Sequence, residues 1–116
     1  MEAQDIVITE FNEGGYAPVD RFGTWRVAII NGCESLKEEN RHEVERHLET
    51  DEVFVPITGK SALFVGKERK RIEMEIGKVY NVKLGAWHTI AMEEGAKVLI
   101  VENDDTGAEN SEFEPF

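Results

Sequence analysis

The regular spacing of short apolar runs constrains the fold of this chain more than any other feature. Runs rich in β-branched and aromatic residues recur about every ten residues, with glycine-containing turns between them. The clearest runs span residues 24–30, 52–57, 62–65, 71–76, 78–82, 87–92 and 97–102. Many short strands with turn signals between them are typical of a β-sandwich or barrel. We therefore predict a single all-β domain over residues 1–116.

The remaining segments carry weaker signals. Residues 6–9 predict a weak first strand, and residues 14–18 form a cluster of turn residues. Residues 34–40 are compatible with one helical turn or a short helix, and the basic run 67–71 predicts a solvated hairpin. The acidic tail 103–116 is expected to fray. In the alternative, Phe113 and Phe116 pack over the barrel or onto a partner subunit.

Composition narrows the classes of partner. The formal net charge of −11 argues against nucleic acid, because phosphate binding needs a basic surface. No apolar run approaches the ~20 residues that cross a bilayer, and the acidic N-terminus lacks the pattern of a secretory signal. The single cysteine, Cys33, cannot form an internal disulfide. These features predict a cytoplasmic protein that binds a small molecule.

Two histidines and two glutamates occupy positions that can converge. Glu45 and His47 are two residues apart on a strand and therefore share a face. Glu52 begins the next strand after a charged corner, and a hairpin there would return it to the same face. His88 comes from a later strand, after the turn at residues 85–87. Two imidazoles and two carboxylates predict a site for a divalent metal such as Zn, Mn, Fe or Ni.

The same residues resemble the two motifs of the cupin superfamily. Its first motif has two histidines one residue apart, then a glutamate and a glycine, and its second runs from a glycine through a proline and a glycine to a histidine. The matching positions are His47, Glu52, Gly59, Gly77, Gly85 and His88. The resemblance covers residues 43–102 and implies a cupin-like double-stranded β-helix, or jelly-roll barrel.

The sequence departs from these motifs at three positions. Glu45 replaces the first histidine, Lys83 replaces the proline, and Met92 replaces the asparagine that often closes the second motif. Glu45 can still ligate a metal, which would give a set of two histidines and two carboxylates. The alternative is a metal-free pocket, as in some cupins.

A narrower resemblance is to the ureidoglycolate lyase branch of cupins. It rests on the segment 45–47 (Glu-Arg-His), the apolar strand 53–57 with its proline, and the segment 86–88 (Ala-Trp-His). Those enzymes release urea from ureidoglycolate to give glyoxylate, and the resemblance implies a related lyase activity.

Several other side chains are candidates for the ligand pocket. Arg26 lies on an apolar strand and could hold a substrate carboxylate through a bidentate fork, or form a surface salt bridge. Tyr80 could belong to the pocket wall or to the core, and Trp87 could line the pocket or pack against a neighbouring strand. His42 is expected at the surface, and Cys33 is expected to be a free thiol and not a nucleophile.

Two functions that involve a small molecule remain open from the sequence alone, and a third view makes the chain mainly an interaction subunit. The first is a metal-dependent lyase or isomerase that acts on a small polar acid or a sugar-like molecule. In it His47, Glu52 and His88 hold the metal, and Glu45 is the fourth ligand or the catalytic base. The second is a non-catalytic barrel that binds a small ligand without metal. In either case we expect a homodimer, because pairing would cover exposed sheet edges.

Overall fold

The strands of the computed structural model, which describes residues 5–116, follow the predicted spacing. There are ten within this range: β1 (Gly15–Phe22), β2 (Trp25–Asn31), β3 (Glu43–His47), β4 (Glu52–Thr58), β5 (Ser61–Val65), β6 (Lys70–Glu73), β7 (Tyr80–Val82), β8 (His88–Met92), β9 (Lys97–Asn103) and β10 (Ser111–Pro115). Three 3₁₀ turns lie at Glu34–Leu36, Glu38–Asn40 and Ala108–Asn110. In this part of the chain no helix has the length and apolar character that crossing a bilayer requires.

The strands form two five-stranded antiparallel sheets. The first sheet has the order β1-β2-β9-β4-β7, and the second has the order β10-β3-β8-β5-β6. Neighbours that are distant in sequence, such as β2 with β9 and β3 with β8, make this a jelly roll and not a simple meander. The predicted all-β jelly-roll barrel is confirmed.

The core lies between the inner faces of the two sheets. Along β9, Val98, Ile100 and Glu102 are buried while the residues between them are partly exposed, as the two-residue period of a strand requires. On the facing sheet, Leu63 of β5 and Ile90 of β8 pair across the ladder and are 1% and 7% exposed. The apolar core ends near Glu102, and polar side chains lie between the sheets beyond it.

Two predictions for the N-terminal region are wrong. Residues 6–9 form no strand, and the side chains of Ile6, Val7 and Ile8 are exposed. Residues 14–18 are not a turn, because β1 begins at Gly15 and includes Pro18. Proline has no N–H for a ladder, but β1 is an edge strand with a bulge after Pro18, where proline is tolerated.

The acidic tail is ordered along its last residues, contrary to the expected frayed end. Ser111–Pro115 forms β10, which pairs with β3 over five residue pairs. The ring of Phe116 packs edge-on against Phe64, with ring centroids 4.9 Å apart. The alternative, in which a tail phenylalanine packs over the barrel, is therefore correct for Phe116.

Other local predictions agree with the structure. The basic run forms the turn of the β5–β6 hairpin, and residues 34–40 form two consecutive 3₁₀ turns. Strand β2 ends at Asn31, immediately before Gly32. A side chain at Gly32 would meet the backbone of Glu93, which explains why glycine follows the strand.

Candidate metal centre and cavity

Three strands from both sheets bring the predicted site residues together. Glu45 and His47 lie on β3 of the second sheet, where Glu45 pairs directly with His88 of β8. Glu52 begins β4 of the first sheet and shares its buried face with Phe54 and Pro56. The four side chains therefore converge across the space between the sheets, with ligand atoms all within 4.8 Å of one another.

Glu52 lies at the centre of this cluster. Its Oε1 is 2.8 Å from Nε2 of His47 and 2.9 Å from Nε2 of His88. The side chains of all three residues are at least nine-tenths buried. Glu45 is further away, with its Oε1 3.6 Å and 3.9 Å from the same two nitrogens, and its side chain is 39% exposed. Glu45 therefore lies at the open side of the cluster.

The corner before Glu52 is attached to the loop before His88. The Asp51 carboxylate accepts hydrogen bonds from the Leu84 amide at 2.7 Å and from Nζ of Lys83 at 2.8 Å. These bonds, with that from Lys83 first, lower the pKa of Asp51. The amide of Gly85 donates to the carbonyl of His47 at 2.9 Å. The backbone that carries the cluster is thus fixed by contacts outside it.

The hydrogen bonds of the rings suit metal ligation. Nδ1 of His88 is 3.0 Å from the Ala86 carbonyl, which can only accept, so this nitrogen carries the proton. In the neutral ring, Nε2 then has a lone pair directed at Glu52. A lone pair facing a carboxylate oxygen is repulsive unless the ring is protonated or a cation lies between them. Nδ1 of His47 is 2.8 Å from Oγ of Ser111, which similarly orients Nε2 inward.

Each charged group in the cluster shifts the pKa of its neighbours. Burial works to raise the pKa of Glu52, but the hydrogen bonds with His47 and His88 outweigh it and lower the pKa to about 2. Burial works to lower the pKa of both histidines, and the hydrogen bond and charge of Glu52 outweigh it, so both are raised. The pKa of Glu45 is raised, first by burial and then by the charge of Glu52. The donor set of two imidazoles and two carboxylates fits a divalent metal.

A cavity of about 390 Å³ opens from this cluster. That volume is at the lower end of the range for small-molecule sites. The cavity is lined by the four cluster residues, by apolar side chains such as Phe54 and Ile100, and by a second polar group formed by Tyr16, Arg26 and Glu102. The two polar groups adjoin each other, because Glu52 and Glu102 lie at neighbouring positions of the adjacent strands β4 and β9, and the apolar side chains form the rest of the wall.

Of the predicted pocket residues, Arg26 lines the cavity, but Tyr80 and Trp87 do not. Trp87 precedes the inward-facing His88 and so points outward, where its ring lies 4.7 Å from the Arg46 guanidinium. Tyr80 packs against the core, and its hydroxyl accepts a hydrogen bond from the Glu75 amide at 2.8 Å. The pocket assignment of both residues is corrected, and the alternative holds for each, since Tyr80 packs on the core and Trp87 packs against Arg46 of the neighbouring strand β3.

Two further residues lie where the sequence placed them. His42 is exposed just before β3, and its Nδ1 is 3.2 Å from the Asn40 carbonyl oxygen. It is also one of the residues that line the cavity. Cys33 is a free, partly buried thiol whose Sγ is 3.4 Å from the Ser35 hydroxyl.

Sequence reasoning missed three polar residues near the site. Glu102 could have been found, because it continues the inward-facing series Val98 and Ile100, by the same two-residue alternation that grouped Glu45 with His47. Tyr16 and Ser111 gave no such signal. Tyr16 follows the glycine pair that we interpreted as a turn, and Ser111 lies in the tail that we expected to fray.

Comparisons with known proteins agree with this fold. No family model matches the chain, and no curated protein matches it. Among solved structures, a cupin-2 domain protein from Shewanella frigidimarina has a TM-score of 0.66 at 20% identity, covering 87% of this chain and 98% of the other. The Streptomyces nucleoside dehydratase Pac13 has a TM-score of 0.64 at 6% identity, covering 91% and 83%. Fe(II) HppE has a TM-score of 0.59 at 14% identity, covering 77% and 50%.

The two facing sheets and these structural neighbours define a barrel of the cupin type. The chain has the cupin fold, as the two motifs in its sequence predicted. At such low identities the neighbours show the fold alone, and the chemistry must be argued from the side chains in this cavity.

Proposed function

We propose that the protein is a metal-dependent lyase or isomerase of a small polar acid or sugar-like molecule. One observation carries the proposal. Nε2 of His47 and Nε2 of His88 both lie within 2.9 Å of the same carboxylate oxygen of Glu52, and all three residues line the cavity. His47, Glu52 and His88 would hold the metal. When bound, a divalent metal supplies a positive charge that polarises a carbonyl or hydroxyl oxygen.

Glu45 is the proton-transfer group in this proposal. It is the least buried member of the cluster and lies further from both imidazoles than Glu52 does. Its raised pKa brings it closer to the pH at which a carboxyl both accepts and returns a proton efficiently. Its alternative role, as a fourth metal ligand, is compatible with the same position.

The reaction follows from these roles. The Glu45 carboxylate accepts a proton from a carbon beside the polarised carbonyl, and the C–H electron pair stays on the substrate. In an isomerase, Glu45 returns the proton to a neighbouring carbon. In a lyase, the electron pair expels a leaving group, and Glu45 gives that group its proton. Both courses leave the enzyme unchanged and need no external oxidant.

Ureidoglycolate is one candidate substrate, supported by the resemblance of residues 45–47 and 86–88 to ureidoglycolate lyases. For this substrate Glu45 would accept the proton of the hydroxyl on the carbon that carries the ureido group, the O–H electron pair would form the carbonyl of glyoxylate, and the C–N bond would break as the released urea takes the proton. Within those segments only Glu45, His47 and His88 face the cavity. Arg46 and Trp87 stack on each other at the outer face of the second sheet. The candidate therefore depends on the three inward residues.

The test is elemental analysis of protein purified without chelator or nickel resin. We expect about one divalent metal per chain, lost in His47→Ala and His88→Ala and retained in His42→Ala. His42→Ala is the matched control because it removes the third histidine, whose ring contacts the Asn40 carbonyl and not the cluster. Full metal content in the first two variants would contradict the proposal.

A metal-free binding barrel is the second candidate. It is favoured by the hydrogen bonds of Glu52, since a doubly protonated His88 would satisfy that carboxylate without a cation. Protein that stays free of metal in metal-replete medium, but melts at a higher temperature with a small ligand, would favour this candidate.

We also propose a cytoplasmic homodimer as the working form of the protein. Support comes from the free thiol of Cys33 and from the four strands at the sheet edges, β1, β7, β10 and β6. Light scattering measures the mass directly, and a monomer at micromolar concentration would contradict the dimer.

A further inference from the structure

A row of charged side chains crosses the inner face of the first sheet beside the proposed metal centre. Arg26 of β2 pairs directly with Glu102 of β9 in the ladder. Val101 pairs with Val53 of β4, so Glu102 and Glu52 occupy neighbouring positions on adjacent strands. Glu102 therefore separates the metal centre from Arg26.

The Glu102 side chain is buried, but only one of its two carboxylate oxygens accepts hydrogen bonds from the described residues. Its Oε2 accepts hydrogen bonds from the Tyr16 hydroxyl at 2.7 Å and from Nη2 of Arg26 at 3.2 Å. Among the described residues, no hydrogen bond reaches Oε1, although the side chain is only 3% exposed. Oε1 is not among the fully enclosed side-chain atoms that lack a partner, so it is reached from the cavity and leaves one hydrogen-bond acceptor without a partner there. Since Glu102 lines the cavity, a bound molecule can supply that partner.

Arg26 is not available to hold a substrate carboxylate, which corrects the role considered from the sequence. Its guanidinium donates to Glu102, to the Asp104 carbonyl at 3.0 Å and to the Thr106 carbonyl at 3.1 Å. Its Nε is buried without a partner in the described structure. The Arg26–Glu102 pair is therefore not explained by stability alone, because a buried ion pair whose polar groups are incompletely hydrogen-bonded contributes little to stability.

We propose that Glu102 and Tyr16 form a hydroxyl-binding subsite. The substrate is a small hydroxylated molecule, and one of its hydroxyls donates to Oε1 of Glu102. A carboxylate only accepts hydrogen bonds, so it selects a donor and repels an anion. Arg26 holds the carboxylate in place, and Tyr16 fixes it from the other side. That the other polar end of the substrate lies at the His47–Glu52–His88 cluster rests on the proposed function.

Paired probes that differ by one hydroxyl test this subsite. Dissociation constants are measured by titration calorimetry for two neutral pairs, glycolamide against acetamide and lactamide against propanamide, with zinc-loaded and with metal-free protein. A hydrogen bond to a charged acceptor predicts a preference of about 10-fold or more for the hydroxylated member. We expect Glu102→Gln to reduce this preference to below about 3-fold, and Tyr16→Phe to reduce it in part.

Glu112→Gln is the matched control, because Glu112 pairs with Arg46 outside the cavity. It should keep the full preference for the hydroxylated probe. If the melting curve shows that Glu102→Gln does not fold, the loss of preference for the hydroxylated probe is measured in Tyr16→Phe instead. Equal binding of both members by the unmodified protein, an undiminished preference in the variants, or no binding of any probe would overturn the subsite.

The metal content of the same samples separates this inference from the proposed function. Glu102→Gln should retain its metal while losing the hydroxyl preference, since Glu102 is not one of the converging ligands. If the protein proves to bind no metal, the proposed function fails, and the preference measured without metal still decides the subsite.

Discussion

Gly59 shows how a motif position can be explained by the backbone. The motif glycines Gly59, Gly77 and Gly85 all have positive φ, between 73° and 85°, a region that favours glycine. Of these three, only Gly59 also has close neighbours, because a Cβ there would lie 2.5 Å from Cα of Ala96. Turn geometry therefore explains the glycine at all three motif positions, and close packing is a second reason for glycine at Gly59.

Alanine substitution should separate these two effects. Gly66 is the control, since it has φ of 86° and nothing within 4 Å of an added Cβ. Gly66→Ala should cost about 1–2 kcal/mol for the left-handed conformation. Gly59→Ala should cost about 1–3 kcal/mol more, because backbone must move. Urea unfolding of both variants measures the difference, and equal costs would show that the contact with Ala96 relaxes freely.

Tyr16 provides a pH-dependent prediction at the same scale. Burial raises the pKa of its phenol well above 10, and the hydrogen bond and charge of Glu102 raise it further. The folded state thus holds this proton more tightly than the unfolded chain, whose tyrosine titrates near pH 10. The contribution to stability is present below about pH 10 and is lost as the pH rises above it.

Absorbance near 295 nm measures this ionisation. The difference between the titrations of unmodified protein and Tyr16→Phe isolates the one phenol, and we expect no ionisation from it at pH 10. In Glu102→Gln the transition should move down, since the carboxylate that opposes the phenolate is gone. A Tyr16 transition near pH 10 in the unmodified protein would contradict the buried Tyr16–Glu102 contact.

At the scale of elements, β10 supports the strand that carries half of the proposed metal centre. Strand β3 contacts β8 through the single register pair Glu45–His88, whereas it pairs with β10 over five residue pairs. Arg69 in the β5–β6 turn also donates to Glu114 of β10 at 2.7 Å. The chain terminus, which composition alone marks as a tail, is thus part of the sheet behind the site.

Ser111 is the direct link between β10 and the metal centre. Its hydroxyl contacts Nδ1 of His47, and partners of this kind orient a ligating ring. Ser111→Ala should weaken zinc binding by about 10–100-fold without unfolding the protein. Competition with a chromophoric chelator measures the affinity, and Glu112→Gln, on the outer side of the same strand, is the control. Unchanged affinity would show that the ring is held by other contacts.

At the scale of the whole molecule, the fold could be predicted because its signals are local. Alternation along residues 97–102 and glycines at fixed intervals require only neighbouring residues to be interpreted. The same alternation placed Glu45 and His47 on one face, but the hairpin expected to return Glu52 to that face is wrong, because β4 lies in the opposite sheet and Glu52 meets them across the space between the sheets. What failed depended on distant contacts: Pro18 is tolerated because β1 lies at an edge, and Ser111 is ordered because β3 offers it a partner.

The sequence also does not show whether a side chain lies in the cavity and is free to bind there. Trp87 adjoins His88 in sequence, but it faces the outside, and its contact is with Arg46. Arg26 does face the cavity, but a glutamate 76 residues away occupies its guanidinium. Sequence spacing gives the face of a strand, whereas the partner across the sheet decides whether that side chain is free to bind.

A metal that binds the folded barrel but not the unfolded chain must also raise the stability of the whole molecule. The proposed ligands come from β3, β4 and β8, so unfolding separates them and releases the metal. At a free zinc concentration 100 times the dissociation constant, the stabilisation is about 2.7 kcal/mol. For a domain of this size that corresponds to a rise in melting temperature of about 10 °C.

The rise should disappear in His88→Ala and persist in His42→Ala, and calorimetry with and without zinc measures both. The metal-free His88→Ala variant also tests what the cluster contributes without a cation. Removing His88 takes away one of the two hydrogen bonds that lower the pKa of Glu52, so that carboxyl should become easier to protonate. A zinc-dependent rise of equal size in His88→Ala would mean that zinc binds elsewhere on this acidic chain, and not at the proposed centre.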